Sequence, residues 1–300
     1  MTDTGTVPNI TEWNDINSQN GGSPQALLST ANGTAGLPIN PLTLNYLKLF
    51  PKPTNTDPTA LANNFTISPN KTQNYNLYDA RIDHRFNDKN VFFGRFSYNN
   101  VITFTPPAFG TVDGVEISGG RYNFDGPATN GAQQYAFGYT HIFTPAVLVD
   151  LRAAFTRINN LSLPLNYGLG VDQSVIGFPA SMTSFSPFAD SLTPINVGPF
   201  GDIGDGAYVP LQDIDNTFQY NGTVSWTKGS HNFKFGASLI RRQARNVQSA
   251  SAVGFYQFNL SSDTNADQLT QQSNQLASAL VGGFNSQSRN FNISPPDYRA

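Results

Sequence analysis

A period-two alternation of side-chain character recurs in three pairs of segments and constrains this chain more than any other feature. From Tyr75 to Phe86, Asp79, Arg81, Asp83 and Arg85 take one side while Ala80, Ile82, His84 and Phe86 take the other. Successive side chains of a strand point to opposite faces, so four charges land on one wall. Asn87-Asp88-Lys89-Asn90 is a compact turn signal. From Val91 to about Thr105, Phe92, Gly94, Phe96 and Tyr98 then oppose Arg95, Ser97 and Asn99. The two segments read as a hairpin. A second pair, near 132–143 and 147–158, turns at Thr144-Pro145 and sets Val147, Val149, Leu151, Ala153 and Phe155 against Asp150 and Arg152. A third pair, near 217–227 and 232–242, turns at Lys228-Gly229-Ser230. It groups Phe218, Tyr220, Val224 and Trp226 on one strand, and opposes Phe233, Phe235, Ala237 and Leu239 to Lys234 on the next.

Short turns alternate with long irregular stretches, from Pro106 to Asn130 and from about Leu161 to Asp213. Transmembrane β-barrels alternate short periplasmic turns with longer extracellular loops. Their strands need about 9–11 residues to cross the hydrocarbon, longer than most strands of soluble sheets. The expected fold class is therefore all-β: part of an antiparallel transmembrane β-barrel. Asp79, Arg81, Asp83, Arg85, Arg95, Asp150, Arg152 and Lys234 are expected to face its lumen. Ile82, Phe92, Phe96, Tyr98, Val147, Val149, Leu151, Phe155, Tyr220, Trp226, Phe233 and Phe235 are expected to face lipid. Tyr98 and Trp226 fall near expected strand ends, where aromatic girdles sit.

This architecture accounts for the composition. Only 12% of the residues are charged, against roughly 25% in soluble domains, yet hydrophobic residues reach only 38%. Spanning strands bar charge from their outer face, tolerate polar residues on the inner one, and leave Asn, Ser, Thr and Gly to solvated loops.

Other features exclude function classes. There is no Cys, so disulfide frameworks and thiolate metal sites are impossible. A net charge of −3 offers no footprint for nucleic acid. No apolar run is long enough for a membrane-spanning helix. His84, His141 and His231 are far apart in sequence and no catalytic motif accompanies them, so no enzyme activity and no cofactor are expected. Asp202, Asp205, Asp213 and Asp215 lack the spacing of an EF-hand loop and read as solvated loop carboxylates. Residues 1–70 read as irregular, with one short helix at the apolar patch Leu42–Phe50 before Pro51-Lys52-Pro53, and 71–300 as partial barrel.

The stretch Tyr75–Phe86, its Asn/Asp turn and Val91-Phe92-Phe93-Gly94-Arg95-Phe96-Ser97-Tyr98 resemble TonB-dependent receptors of the Oar-like kind. Leu49-Phe50-Pro51-Lys52-Pro53-Thr54-Asn55 resembles the Pro-rich segment before that hairpin. Gly229-Ser230-His231-Asn232-Phe233-Lys234-Phe235-Gly236 resembles a recurrent turn and strand of the same barrels, and Leu276–Phe284 a loop that follows it. The resemblance implies an outer-membrane transporter that moves a bulky solute, contacts lipid, and is energised by the TonB complex through a plug and a TonB box. Neither is recognisable here, and a plugged transporter barrel has about 22 strands against the six read above, so the chain is expected to be a fragment. The alternative from another class is a secreted or cell-surface all-β binding or adhesion protein, whose apolar faces would be covered in a sandwich.

Overall fold

The computed structural model describes residues 3–30, 34–182, 184, 189–258, 267–290 and 297–299. Six long strands dominate it: β1 (Thr72–Asn87), β2 (Asn90–Thr105), β3 (Gly126–Thr144), β4 (Val147–Ser162), β5 (Leu211–Lys228) and β6 (His231–Val247). They form one antiparallel meander in sequence order, and Asp297–Arg299 adds a short strand beside β6. The strands run 16 to 19 residues, longer than the alternation suggested. The reason is that pairing continues past the apolar stretch into Asn- and Thr-rich sequence, where side chains no longer alternate but backbone bonds persist.

Three tight turns close one end of the meander, at 88–89, 145–146 and 229–230. The last uses Gly229, whose φ of 61° suits glycine. The sheet is open. Among the described residues β1 has a free edge, and β6 is paired beyond β5 only at Gln243–Arg245. No second sheet packs on the meander among the described residues.

The hydrophobic core lies elsewhere. It is a cap built from the N-terminal segment, the long connections β2–β3 and β4–β5, and the chain after β6. Residues 1–70, expected to be irregular with one helix, carry three: α1 (Ile10–Ile16), α2 (Pro24–Thr30) and α3 (Pro41–Lys48). Each start has a local cause. Asn9 caps α1 in a capping box with Glu12, and Asn40 caps α3 with Pro41 in its first turn. Leu276–Phe284, expected to be loop, mostly belongs to α4 (Gln268–Leu280). Gln272, Leu276, Ala279 and Leu280 recur at helical spacing and are buried. A glutamine within that buried stripe hid the helix from pattern reading.

Phe50, Ile16, Leu28, Leu47, Ile117, Ile195, Ile203, Leu276 and Leu280 are all fully buried in the cap. Phe50 meets Phe200 edge-on at 5.9 Å. The Trp13 indole donates to the Phe50 carbonyl at 3.0 Å. No described helix is long and apolar enough to cross a membrane.

Candidate functional site

Strand register sorts the expected site residues onto two faces, because directly paired residues share a side. Five consecutive rows across β2 to β6 are mainly apolar on one face, with His141 and Asn90 in the second row from the turns and Arg241 at the β6 end of the fifth. They begin beside the turns with Val147, Trp226 and Phe233. They end with Phe96, Tyr135, Phe155 and Phe218. Ile82, Phe92, Val149, Leu151, Tyr220 and Phe235 lie between these limits on the same face. The rings form a ladder: Phe96–Tyr135 at 5.0 Å, Phe155–Phe218 at 4.9 Å and Trp226–Phe233 at 5.5 Å. From Phe218 to Trp226 the belt occupies nine residues of β5, within the 9–11 that a tilted strand needs to cross hydrocarbon. Leu239 is 63% exposed and Ile82 70%, so among the described residues nothing covers the face at these positions.

The next row changes character. Tyr98, Gln133, Arg157, Asn216 and Gln243 share it, and Arg157 donates to Asn216 Oδ1 at 3.3 Å. Tyr98 thus lies in mid-strand, not near an end as the sequence suggested, because β2 continues seven residues beyond it. It stands instead at the edge of the apolar belt.

The opposite face carries Asp79, Arg81, Asp83, Arg85, Arg95, Asp150, Arg152 and Lys234 together. Arg95 bonds Asp79 across the β1–β2 pair at 2.5 Å. Arg81 pairs with Asp83 and Arg152 with Asp150 along their own strands, at 2.7 and 2.8 Å. Arg85 reaches Asp88 in the turn at 2.7 Å. Small and polar residues fill the rest of this wall, among them Gln134, Thr156, Thr217 and Ser238.

Phe93 is the member of this wall that alternation alone did not single out. Its ring covers Gly138 on β3, where an added Cβ would fall 2.1 Å from Phe93 Cε1. The Arg81 guanidinium stacks on Phe93 at 4.5 Å. The signal was present in Phe92-Phe93-Gly94, since two adjacent aromatics cannot face the same side.

The histidines, far apart in sequence, come to one rim. His84, His141 and His231 all lie on the apolar face at the turn end, beside Phe86, Phe143 and Phe233. The four acids read as one loop are dispersed. Asp213 and Asp215 belong to β5 and face the polar wall. Asp202 and Asp205 sit in the cap, and Asp205 is fully buried rather than solvated. Among the described residues no group of three His, Cys, Asp or Glu could hold a metal ion.

Buried carboxylates tie the cap together. Asp205 accepts from the Ser191 hydroxyl, the Leu192 backbone at 2.9 Å, and the Asn166 backbone and amide at 3.3 and 3.2 Å. Asp172 accepts from the Thr193 backbone and hydroxyl at 2.9 and 2.5 Å and from the Tyr46 hydroxyl at 3.2 Å. Burial pushes both acids up to about 6, and the donors hold them back from rising further. Glu12 bridges α1 to Ser273 of α4 at 3.1 Å and is pushed by burial to about 7.

A model of the outer membrane beta barrel domain family matches residues 4–300. No curated protein and no solved structure matches the chain.

Proposed function

The chain belongs to the outer membrane beta barrel domain family and resides in the outer membrane; from that premise we propose that it forms one arc of a TonB-dependent barrel that moves a bulky solute across that membrane. The apolar belt faces lipid, the charged wall faces the lumen, and the cap stands at the extracellular end. The observation that carries this reading is the meander itself. Six long strands keep one nine-residue, mainly apolar belt in register while all five of their own carboxylates lie on the other side. An unpaired edge in lipid is costly, so an open arc of this kind is completed by further strands. The paired charges of the wall suit a wide hydrated lumen, where they stay solvated and offer polar contacts to a passing solute.

The TonB dependence rests on the resemblance of the first hairpin, the Gly229–Gly236 turn and their order along the chain. Coupling to TonB is assigned to sequence beyond these 300 residues. In this reading the chain is wall and cap, with no chemistry of its own and no nucleic-acid partner.

The test is in vivo cross-linking of the full-length protein to TonB in outer-membrane-containing cells. Capture of TonB well above a general porin control supports the coupling. Capture no greater than that control overturns it and leaves a passive barrel.

A further inference from the structure

The apolar face has an unequal distribution of charge beyond its belt. The long strands carry five acids: Asp79, Asp83, Asp150, Asp213 and Asp215. All five fall on the polar wall. Arg157, Arg241 and Arg245 instead fall on the apolar face, at or just past its edge at Phe155 and Phe218. No carboxylate of the six long strands shares that face; Arg245 stands opposite Asp297 of the short strand, whereas Arg157 stands opposite Gln133 and Asn216, and Arg241 opposite Phe218.

A hollow lies directly below. Gly222, Ala153 and Ala237 form a floor between the taller Phe137, Tyr220 and Leu239, and the resulting groove has a volume of about 520 Å³. Short side chains beside long ones leave this channel. Leu239 lines the groove, and the next residue of β6 on the same face is Arg241, one row nearer the cap. Arg157 sits two strands away from Arg241, at a lateral separation of about 10 Å.

We propose that this is a binding site for one phosphorylated acyl lipid of the lipid A class, with a hydrocarbon chain in the groove and phosphates on Arg157 and Arg241. The site rests on the face assignment and orientation given under Proposed function. Guanidinium forks match phosphate oxygens bidentately and are strongest where water is scarce, as at the edge of an apolar belt. The separation of the two arginines decides the class. A headgroup with phosphates at both ends of a sugar frame spans two strands, whereas a glycerophospholipid offers one phosphate. The binding is non-covalent and belongs to the outer wall, apart from any solute path.

The experiment is native mass spectrometry of the full-length protein in mild detergent, titrated with bisphosphoryl lipid A, monophosphoryl lipid A and phosphatidylglycerol. Bisphosphoryl lipid A is expected to bind as a single copy and the other two more weakly. Arg157→Gln with Arg241→Gln is expected to weaken it about tenfold or more, while Arg157→Lys with Arg241→Lys retains most of it. Arg242→Gln, one residue along and on the polar wall, is expected to change nothing. The heat-induced gel shift of each variant reports that the barrel is intact. Equal binding by the double glutamine variant, or by phosphatidylglycerol, overturns the lipid site alone. Loss in Arg242→Gln with no loss in the double variant overturns the face assignment beneath it.

Discussion

Phe155 on β4 and Phe218 on β5 meet ring to ring at 4.9 Å, and two residues farther from the turns the same strands set Arg157 against Asn216. That step from aromatic pair to hydrogen-bonded polar pair marks the upper limit of the belt. Below it the face is suited to hydrocarbon, and above it to headgroups and water. The strands continue as far as Leu211 and Ser162 before they enter the cap.

A charge placed inside the belt has a depth-dependent cost. Leu151 lies in the third of the five apolar rows, near the middle. Leu151→Arg is expected to destabilise the lipid-embedded protein by about 2–4 kcal/mol, whereas Ile214→Arg, two rows beyond the Phe218 row, costs ~1 kcal/mol or less. Urea unfolding of the full-length protein in lipid vesicles measures both. Equal costs at the two positions would show that the belt is placed wrongly.

Gly138 has no room for a side chain under the Phe93 ring, which lies 2.1 Å from an added Cβ. Gly138→Ala must displace that ring and its stack with Arg81, at a cost of about 1–3 kcal/mol. Phe93→Ala in the same chain relieves the clash, so a double-mutant cycle should show strong coupling between the two sites. Additive losses would contradict the packing.

The cap has its own core and should fail on its own. Phe50 is fully buried, and Phe50→Ala is expected to cost the cap about 3–5 kcal/mol. Protease added to intact cells should then cut within 163–210 or after Val247, while the heat-induced gel shift of the barrel remains. Simultaneous loss of both would mean that cap and sheet fold as one unit.

Asp172 and Asp205 make the cap less stable as pH rises. Their folded values, about 6, lie above the ordinary carboxylate value of 3.8, so the folded cap binds protons that the unfolded chain releases. Their protonated-state stabilisation is complete below about pH 4 and is lost as pH climbs to about 6, by at most roughly 3 kcal/mol per group. Trp13, bonded to the Phe50 carbonyl, supplies a fluorescence reporter inside the cap. Its unfolding midpoint should fall between pH 4 and 7, and Asp205→Asn should flatten the slope. A midpoint that rises through that window would contradict the assignment.

The six strands were legible because lipid and lumen demand opposite chemistry on alternate residues, as in Asp79-Ala80-Arg81-Ile82. Their full length was not. Beyond Phe218 both faces are polar, so Asp213 and Asp215 looked like loop acids although their backbones pair with Asn160 and Ile158. The cap was the least legible part. Its elements are short, its α4 buries Gln272, and its ties are long-range bonds such as Gln272 to the Leu61 carbonyl at 2.8 Å, which no local pattern announces. The capping box at Asn9 and Glu12 was a readable helix start; the contacts that make the helix stable come from elsewhere in the chain. Phe93 was missed because an aromatic on a polar wall makes sense only once Gly138 is seen beneath it.

One face of this sheet is assigned to lipid and the other to water. These 300 residues contain no cysteine, so once any cysteine elsewhere in the full-length protein is replaced by serine, single cysteines placed here report cleanly. In native outer membranes of cells carrying the full-length protein, cysteines at Phe96, Val149, Tyr220 and Phe235 should react with a lipid-soluble maleimide and resist a membrane-impermeant one. Cysteines at Ser97, Asp150, Gln219 and Lys234, their immediate neighbours on the polar wall, should show the reverse. The same reactivity for both sets, or the inverse pattern, would overturn that assignment.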